Sequence, residues 1–262
     1  MKNERSRRRS RVRRLFTLVL AVVFLAPMFT TRVASAEFPP QKLENLQVLP
    51  KEISVPELIG IMKEFSGGLG VRCQHCHLGE EGEPLSAFDF TADDKEAKRQ
   101  ARVMLRMTRA INEKHLPELG GDGSSRITVQ CVTCHRGQAR PAMLGEVLVA
   151  ELDAGGVEAA TAKYRQLRGE FYGGHSFDFS EWTLISLGET LARGGRAEAS
   201  EAMLELNLEF FPESTSSWDF LAEFYRRQER IDEARAAVAK ALAIDPEDRR
   251  AQQILSMIDE GG

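Results

Sequence analysis

The chain has 262 residues, 42% of them hydrophobic and 28% charged, with a net charge of −4. That composition fits a globular protein of one large or two small domains. The charge is uneven: residues 1–36 carry nine Lys/Arg against one acid, a net of +8, and the remainder carries 26 basic against 38 acidic groups, a net of −12. An acidic body argues against a nucleic-acid partner, which needs a basic face.

The N-terminus reads as an address. A basic stretch, residues 1–14, precedes fifteen mostly apolar residues, 15–29, and then "VASAEF", with Ala34 and Ala36 spaced as small residues before a cleavage point. The layout predicts a secretory signal peptide over residues 1–36, cut after Ala36. A run of fifteen is short of the roughly 20 apolar residues that span a bilayer, so an uncleaved anchor is the rival. Either way the body is exported, with the periplasm or the periplasmic face of the inner membrane as its expected location.

The first expected helix follows in "EISVPELIGIMKEFSGGLG". Ser54 with Glu57 forms a capping box, Pro56 suits the first turn, and Gly67 and Gly68 are the expected stop. Leu58, Ile61, Met62 and Phe65 mark its apolar face. Next comes "RCQHCHL", with Cys73, Cys76 and His77. A second helix is expected in "TADDKEAKRQARVMLRMTRAINEKHLPEL", capped by Thr91 and Asp94 and stopped by Pro117. Its expected inner face is Ala97, Ala101, Met104, Thr108 and Ile111, with Met107 beside it. "CVTCHRGQARP" then brings Cys131, Cys134 and His135.

These four cysteines are all the chain has. Two disulfides would suit an exported protein but leave both trailing histidines without a role. A four-thiolate zinc site does the same, and the stretch from Cys76 to Cys131 is long for a zinc ribbon. The repeated C-x-x-C-H pattern uses every residue: two thiols form thioethers with haem vinyl groups and the histidine binds the iron. Two intervening residues let one helical turn present both sulfurs to one porphyrin edge. Two covalently bound haem c groups are therefore expected, on Cys73, Cys76, Cys131 and Cys134, with His77 and His135 as proximal iron ligands. Arg136 and Arg140 are candidates to neutralise haem propionates, with solvent-exposed charge as the rival.

A second protein ligand on an iron closes it to small molecules and favours electron transfer. Met62 lies eleven residues before Cys73, with a glycine loop that allows the chain to fold back. Core filler is its rival role. For the second iron, Met104, Met107 and His115 compete. His75, between two thioether cysteines, is expected to point away, and His175 to sit in a loop of the other domain.

The stretch from about 44 to 142 resembles the cytochrome c subunit of photosynthetic reaction centres, through "MKEFSGGLGVRCQHCH", "AFDF", "KRQARVMLRMTRAIN" and "VQCVTCHRGQARP". The resemblance implies a methionine on the helix before each motif as the distal ligand: Met62 for one haem and Met107, in preference to Met104, for the other. Members that serve reaction centres typically carry four haems, so this chain resembles half of such a subunit.

From residue 156 the text is helical and periodic. Gly188 and Ala222 are 34 apart, as are Pro212 and Pro246. Trp218, Leu221, Ala222, Tyr225, Ala234, Val238, Ala241 and Pro246 fall on tetratricopeptide positions. The preceding repeat keeps Leu184, Leu187, Gly188, Leu191, Leu204 and Pro212, and 155–171 looks like the second helix of a partly degenerate one. Such modules present a surface to another protein.

The expected architecture is mostly α: a signal peptide over 1–36, a dihaem cytochrome c domain over 37–145, and tetratricopeptide-like α-helical repeats over 146–262. The expected function is single-electron transfer as a carrier rather than an enzyme. Its expected partner is a redox protein docked through the repeats, in the sharpest version a membrane reaction centre that it supplies with electrons. A respiratory complex served by a periplasmic carrier is one alternative. A dihaem peroxidase-like enzyme with one open iron is another.

Overall fold

A computed structural model describes residues 37–120 and 127–260. The signal peptide expected over 1–36 lies outside the described residues. Among these, regular structure is helical apart from one isolated antiparallel bridge between Leu78 and Asp89. No helix among them is long and apolar enough to cross a membrane.

Helix α1 spans Val55–Leu69 and begins as its sequence indicates. The Glu57 amide donates to Ser54 Oγ at 3.4 Å, and the Ser54 amide donates to the Glu57 carboxylate at 3.0 Å, so two unpaired donors of the first turn are satisfied reciprocally. Leu58, Ile61, Met62 and Phe65 are half-buried, while Gly60, Lys63 and Glu64 are exposed. The far end departs from expectation. The helix runs through Gly67 and Gly68 and is closed by Gly70 in the left-handed region, at φ 65°. Gly68 is there for contact: a Cβ on it would lie 3.2 Å from Cys131 Cβ and 3.1 Å from the Val132 amide nitrogen.

Helix α2 spans Glu96–Ala110. The capping box expected at Thr91 and Asp94 does not form. The Thr91 and Ala92 amides instead donate to Asp89 Oδ1 at 2.8 and 3.0 Å, making a side-chain-closed turn, and the helix starts later. Its inner face is also rotated from the expected one. Ala97, Ala101, Leu105 and Thr108 are half-buried together with Lys98 and Arg102, whereas Val103, Met104 and Met107 are exposed. Asp93 is the cause, holding Lys98 at 3.1 Å and Arg102 at 2.8 Å on the inward side. Nor does Pro117 stop the helix. A π turn, Ile111–His115, leads into one more α turn, Leu116–Glu118, and that wider turn absorbs the lost donor and the clash a proline imposes.

Short helix α3, Cys131–His135, is the second cysteine motif itself. Helix α4, Leu144–Phe171, is two helices joined across a kink at Gly156 (φ 75°, ψ −167°). Further helices follow: α5 Glu181–Arg193, α6 Ala197–Phe210, α7 Thr215–Arg227, α8 Ile231–Ile244 and α9 Arg249–Glu260. The starts of α5, α7 and α9 are evenly spaced along the chain, and α6 and α8 are separated by the same interval. The repeat extends to single hydrogen bonds. Trp218 Nε1 donates to the Pro212 carbonyl at 3.2 Å, and at the equivalent place one period later Gln252 Nε2 donates to the Pro246 carbonyl at 2.9 Å. Gly188 is small for the reason expected, since a Cβ would come 2.9 Å from Leu204 Cγ on α6.

Burial divides the chain sharply. One hydrophobic cluster joins Leu144, Leu148, Leu152, Tyr164 and Leu167 of α4 to α5 and α6, and a second joins α6 to α9. Between residues 37 and 143, Phe88 is the one hydrophobic side chain among the described residues that is buried.

Candidate haem-attachment sites

The first cysteine motif is a tight turn. Cys73–His75 is a single 3₁₀ turn, and the amides of Cys76 and His77 both donate to the Cys73 carbonyl, at 3.2 and 3.0 Å. His77 lies edge-on to Phe90, ring centroids 4.9 Å apart, and Phe90 stacks on Phe88 at 5.8 Å. Burial, with Lys98 nearby, lowers the His77 pKa to about 4. At neutral pH its imidazole is therefore neutral, the form that ligates a metal. Its Nδ1 is buried with no hydrogen-bond partner. The N-terminal end of α2 encloses this motif: Lys95 Nζ donates to the Gln74 carbonyl at 2.7 Å, and Lys98 Nζ to the Phe90 carbonyl at 2.9 Å. Asp93 anchors the corner, its carboxyl held far below the usual range by Arg102 and Lys98.

The second motif is a regular helical turn. Cys131, Cys134 and His135 fall on one side of α3 and Val132 and Thr133 on the other, as a rotation of about 100° per residue requires. His135 Nδ1 lies 2.8 Å from the Gln138 carbonyl. That oxygen can only accept, so Nδ1 carries the proton and Nε2 is left with its lone pair free, the tautomer an iron ligand needs. Asn112, just beyond α2, fixes the approach to the motif, donating to the Val129 carbonyl and accepting from the Val129 amide, both at 2.8 Å.

Both motifs thus belong to one unit. Residues at the two ends of α2 reach both, Lys95 and Lys98 bonding to backbone around the first motif and Asn112 to Val129 just before the second, and α1 lays Gly68 on Cys131 just before the chain enters the first motif. Of the candidate distal ligands, Met62 is half-buried on α1, whereas Met104 and Met107 lie exposed on α2 beside Val103. His115 and His75 are exposed. His175 lines a cleft of about 610 Å³ with Gly67, Val132, Thr133, Arg136 and Gly137. Because Val132 and Thr133 face away from the cysteines, His175 stands behind the second motif. Arg136 and Arg140 are exposed.

The donor chemistry fits a c-type haem. All four cysteines are free thiols, none paired with another. Among the described residues no three His, Cys, Asp or Glu side chains converge as a zinc site demands. Burial pushes the Cys76 and Cys131 thiols up, opposite to the depression that marks a redox-active dithiol. The buried, partnerless Nδ1 of His77, the oriented His135 and the exposed apolar stripe of Val103, Met104 and Met107 suit an apolar ring bound between these elements. Asn112, Lys98 and Gln138 are not legible as site residues in the sequence. Asn112 at a helix end carries a weak signal, and Gln138 none.

Comparison with known proteins finds one match in each half, the first running on through most of α4. Residues 80–165 match the sequence model of the family described as "Photosynthetic reaction centre cytochrome C subunit", and residues 215–257 that of a tetratricopeptide repeat. The first match also covers the second cysteine motif and α2. Cytochrome c-554 of Chloroflexus aurantiacus is 34% identical over 102 residues, 34% of this chain and 22% of its own length. The chain thus spans about a fifth of that relative.

Proposed function

We propose that this chain, which through residues 80–165 belongs to the photosynthetic reaction centre cytochrome c subunit family, is an exported dihaem carrier of single electrons. Membership implies a c-type cytochrome, covalently bound haem c, electron transport and a redox partner. The tetratricopeptide match implies a protein-binding module. The number of haems, their residues, the location and the identity of the partner are the further parts of this reading.

Cys73 and Cys76 would hold one haem and Cys131 and Cys134 the other, with His77 and His135 as proximal ligands and Met62 and Met107 as distal ones. Such a group supplies a one-electron iron couple, and methionine opposite histidine raises its potential. The chain's part is to hold the donors. The Gln138 carbonyl fixes the His135 ring, burial keeps His77 neutral, and α1 and α2 carry the two methionines, Met62 half-buried and Met107 exposed. The observation that carries the reading is His135 Nδ1 held 2.8 Å from the Gln138 carbonyl, on a residue that shares one side of α3 with both cysteines.

The electron's destination is a membrane-bound redox complex on the periplasmic side, a photosynthetic reaction centre in the form the family description favours. The mass of the mature protein tests the attachment. Two haem masses on a polypeptide starting at Glu37 are expected, and a bare polypeptide mass defeats the reading. Flash-oxidised reaction centres, re-reduced faster when the reduced protein is added, would support the photosynthetic partner. No acceleration, with activity toward a respiratory oxidase instead, would replace it. Rapid turnover of hydrogen peroxide would mean that one iron is open and the protein an enzyme.

A further inference from the structure

We infer that Ser176, in the loop that opens the repeat module, is a positioning residue for the proximal histidine of the second motif, making the module part of that haem's electronic environment. The inference rests on the haem reading above and extends it to residues far away in sequence.

The turn after His135 is unusual. Arg136 and Gly137 are both left-handed, at φ 49° and 82°, and a non-glycine residue is strained in that region and stays there only where its surroundings impose it. Two surroundings do so here. On one side the Gly137 amide donates to the Gly68 carbonyl of α1 at 2.9 Å. On the other, Ser176 Oγ donates to the Arg136 carbonyl at 2.7 Å, and the Ser176 carbonyl accepts from Gln138 Nε2 at 3.0 Å. Ser176 therefore grips the turn at both ends.

The grip bears on the iron ligand because of what Gln138 does with its backbone. Its carbonyl accepts the His135 Nδ1 proton at 2.8 Å, and its amide donates to the His135 carbonyl at 2.8 Å. Ser176 fixes Gln138, and Gln138 fixes the ring. Ser176 is itself held rigidly, for it adjoins Phe177. That ring and Phe179 are both buried in the cluster built on α4, α5 and α6, their centroids 6.0 Å apart. A continuous path of packed and hydrogen-bonded groups thus runs from the repeat core to the imidazole. The strength of the bond to Nδ1 sets the ligand's basicity and hence the stability of the oxidised iron. Loosening it raises the potential.

The test uses the full chain with both haems attached, in wild type, Ser176→Ala, Gln138→Leu and Ser176→Thr. Spectroelectrochemical titration should show one midpoint raised in Ser176→Ala and Gln138→Leu and the other unmoved. A threefold change in the reduced-to-oxidised ratio, about 28 mV for one electron, is the expected size. Ser176→Thr keeps the hydroxyl and should restore the wild-type value. Hydrogen exchange at the Gly137 and Gln138 amides should quicken in the first two variants only. Unchanged midpoints in both variants would overturn the inference, and so would an equal shift of both haems, which reports a global effect. Failure of the haem reading shows separately, as a wild-type protein without haem mass.

Discussion

At the scale of single residues, the proposed haem sites rest on which ring nitrogen is free and on Met62 and Met107 as the distal ligands. Replacing Met62 or Met107 with alanine should each remove the sulfur–iron absorption band of one oxidised haem. Intact bands in both variants would mean the distal ligands lie elsewhere. A different residue-scale effect belongs to Asp219 on α7. It is 3% exposed, and its Oδ1 has no hydrogen-bond partner. Burial, with Asp248 adding and Arg250 opposing, raises its pKa to about 6. The folded state then binds a proton that the unfolded chain has released, so this group's contribution to stability falls as pH rises from about 4 to 6. Asp219→Asn should remove that slope and stabilise the protein at pH 7 by about 1 kcal/mol, after discounting the shift for solvent screening. Urea titrations at pH 5 and 7 would measure it, and an unchanged slope would refute it. The cysteine–histidine motifs stand out in the sequence because the haem attachment proposed for them would impose a fixed local spacing. Ser176 is not, because its role depends on contacts with Arg136 and Gln138, distant in the chain, that leave no periodic trace.

At the scale of elements, the junction of α1 with α3 is the feature most exposed to substitution. Gly70 sits at φ 65°, and a Cβ there would overlap the Gly137 carbonyl oxygen. Gly70→Ala should cost more than about 2 kcal/mol, from the left-handed conformation and the clash together, and should lower the yield of haem-loaded protein. Wild-type thermal stability in that variant would show that the two backbones can part without penalty. This junction also explains why helix ends are less legible than helix interiors. Gly67–Gly68 looks like a stop, yet Gly68 is selected by the approach of Cys131, which lies far along the chain. The inner face of α2 departs from its apolar pattern for a similar reason. Periodicity favours Met104, but Asp93 draws Lys98 and Arg102 inward, and an ion network carries no hydrophobic signal. The repeats are legible to the residue, since a fixed period repeats its own packing contacts.

At the scale of the whole molecule, the two halves differ in charge as well as in burial. Residues 37–145 carry 14 basic and 15 acidic groups, and residues 146–262 carry 12 and 23, a net of −11. A partner docked on the repeats, as proposed, would meet that field, which favours a basic face. Its dissociation constant should rise several-fold between low salt and about 0.3 M, and an affinity indifferent to salt would remove the repeats as the docking surface. Expression without haem-attachment machinery should leave residues 37–143 open to protease while the 144–260 fragment resists, because only the latter has a core of its own side chains. Equal resistance of both halves would contradict that division.

The scarcity of buried side chains among the described residues before 144 also bears on how the protein is made. The described part of the half that leaves the ribosome first buries few hydrophobic groups of its own, and its second cysteine motif, braced on one side by Gly68, gains its other brace only when the loop holding Ser176 has been synthesised. The enzymes that ligate porphyrin would therefore meet a pliable, accessible substrate. Maturation would end with the carboxy-terminal bundle closing against a turn made long before it.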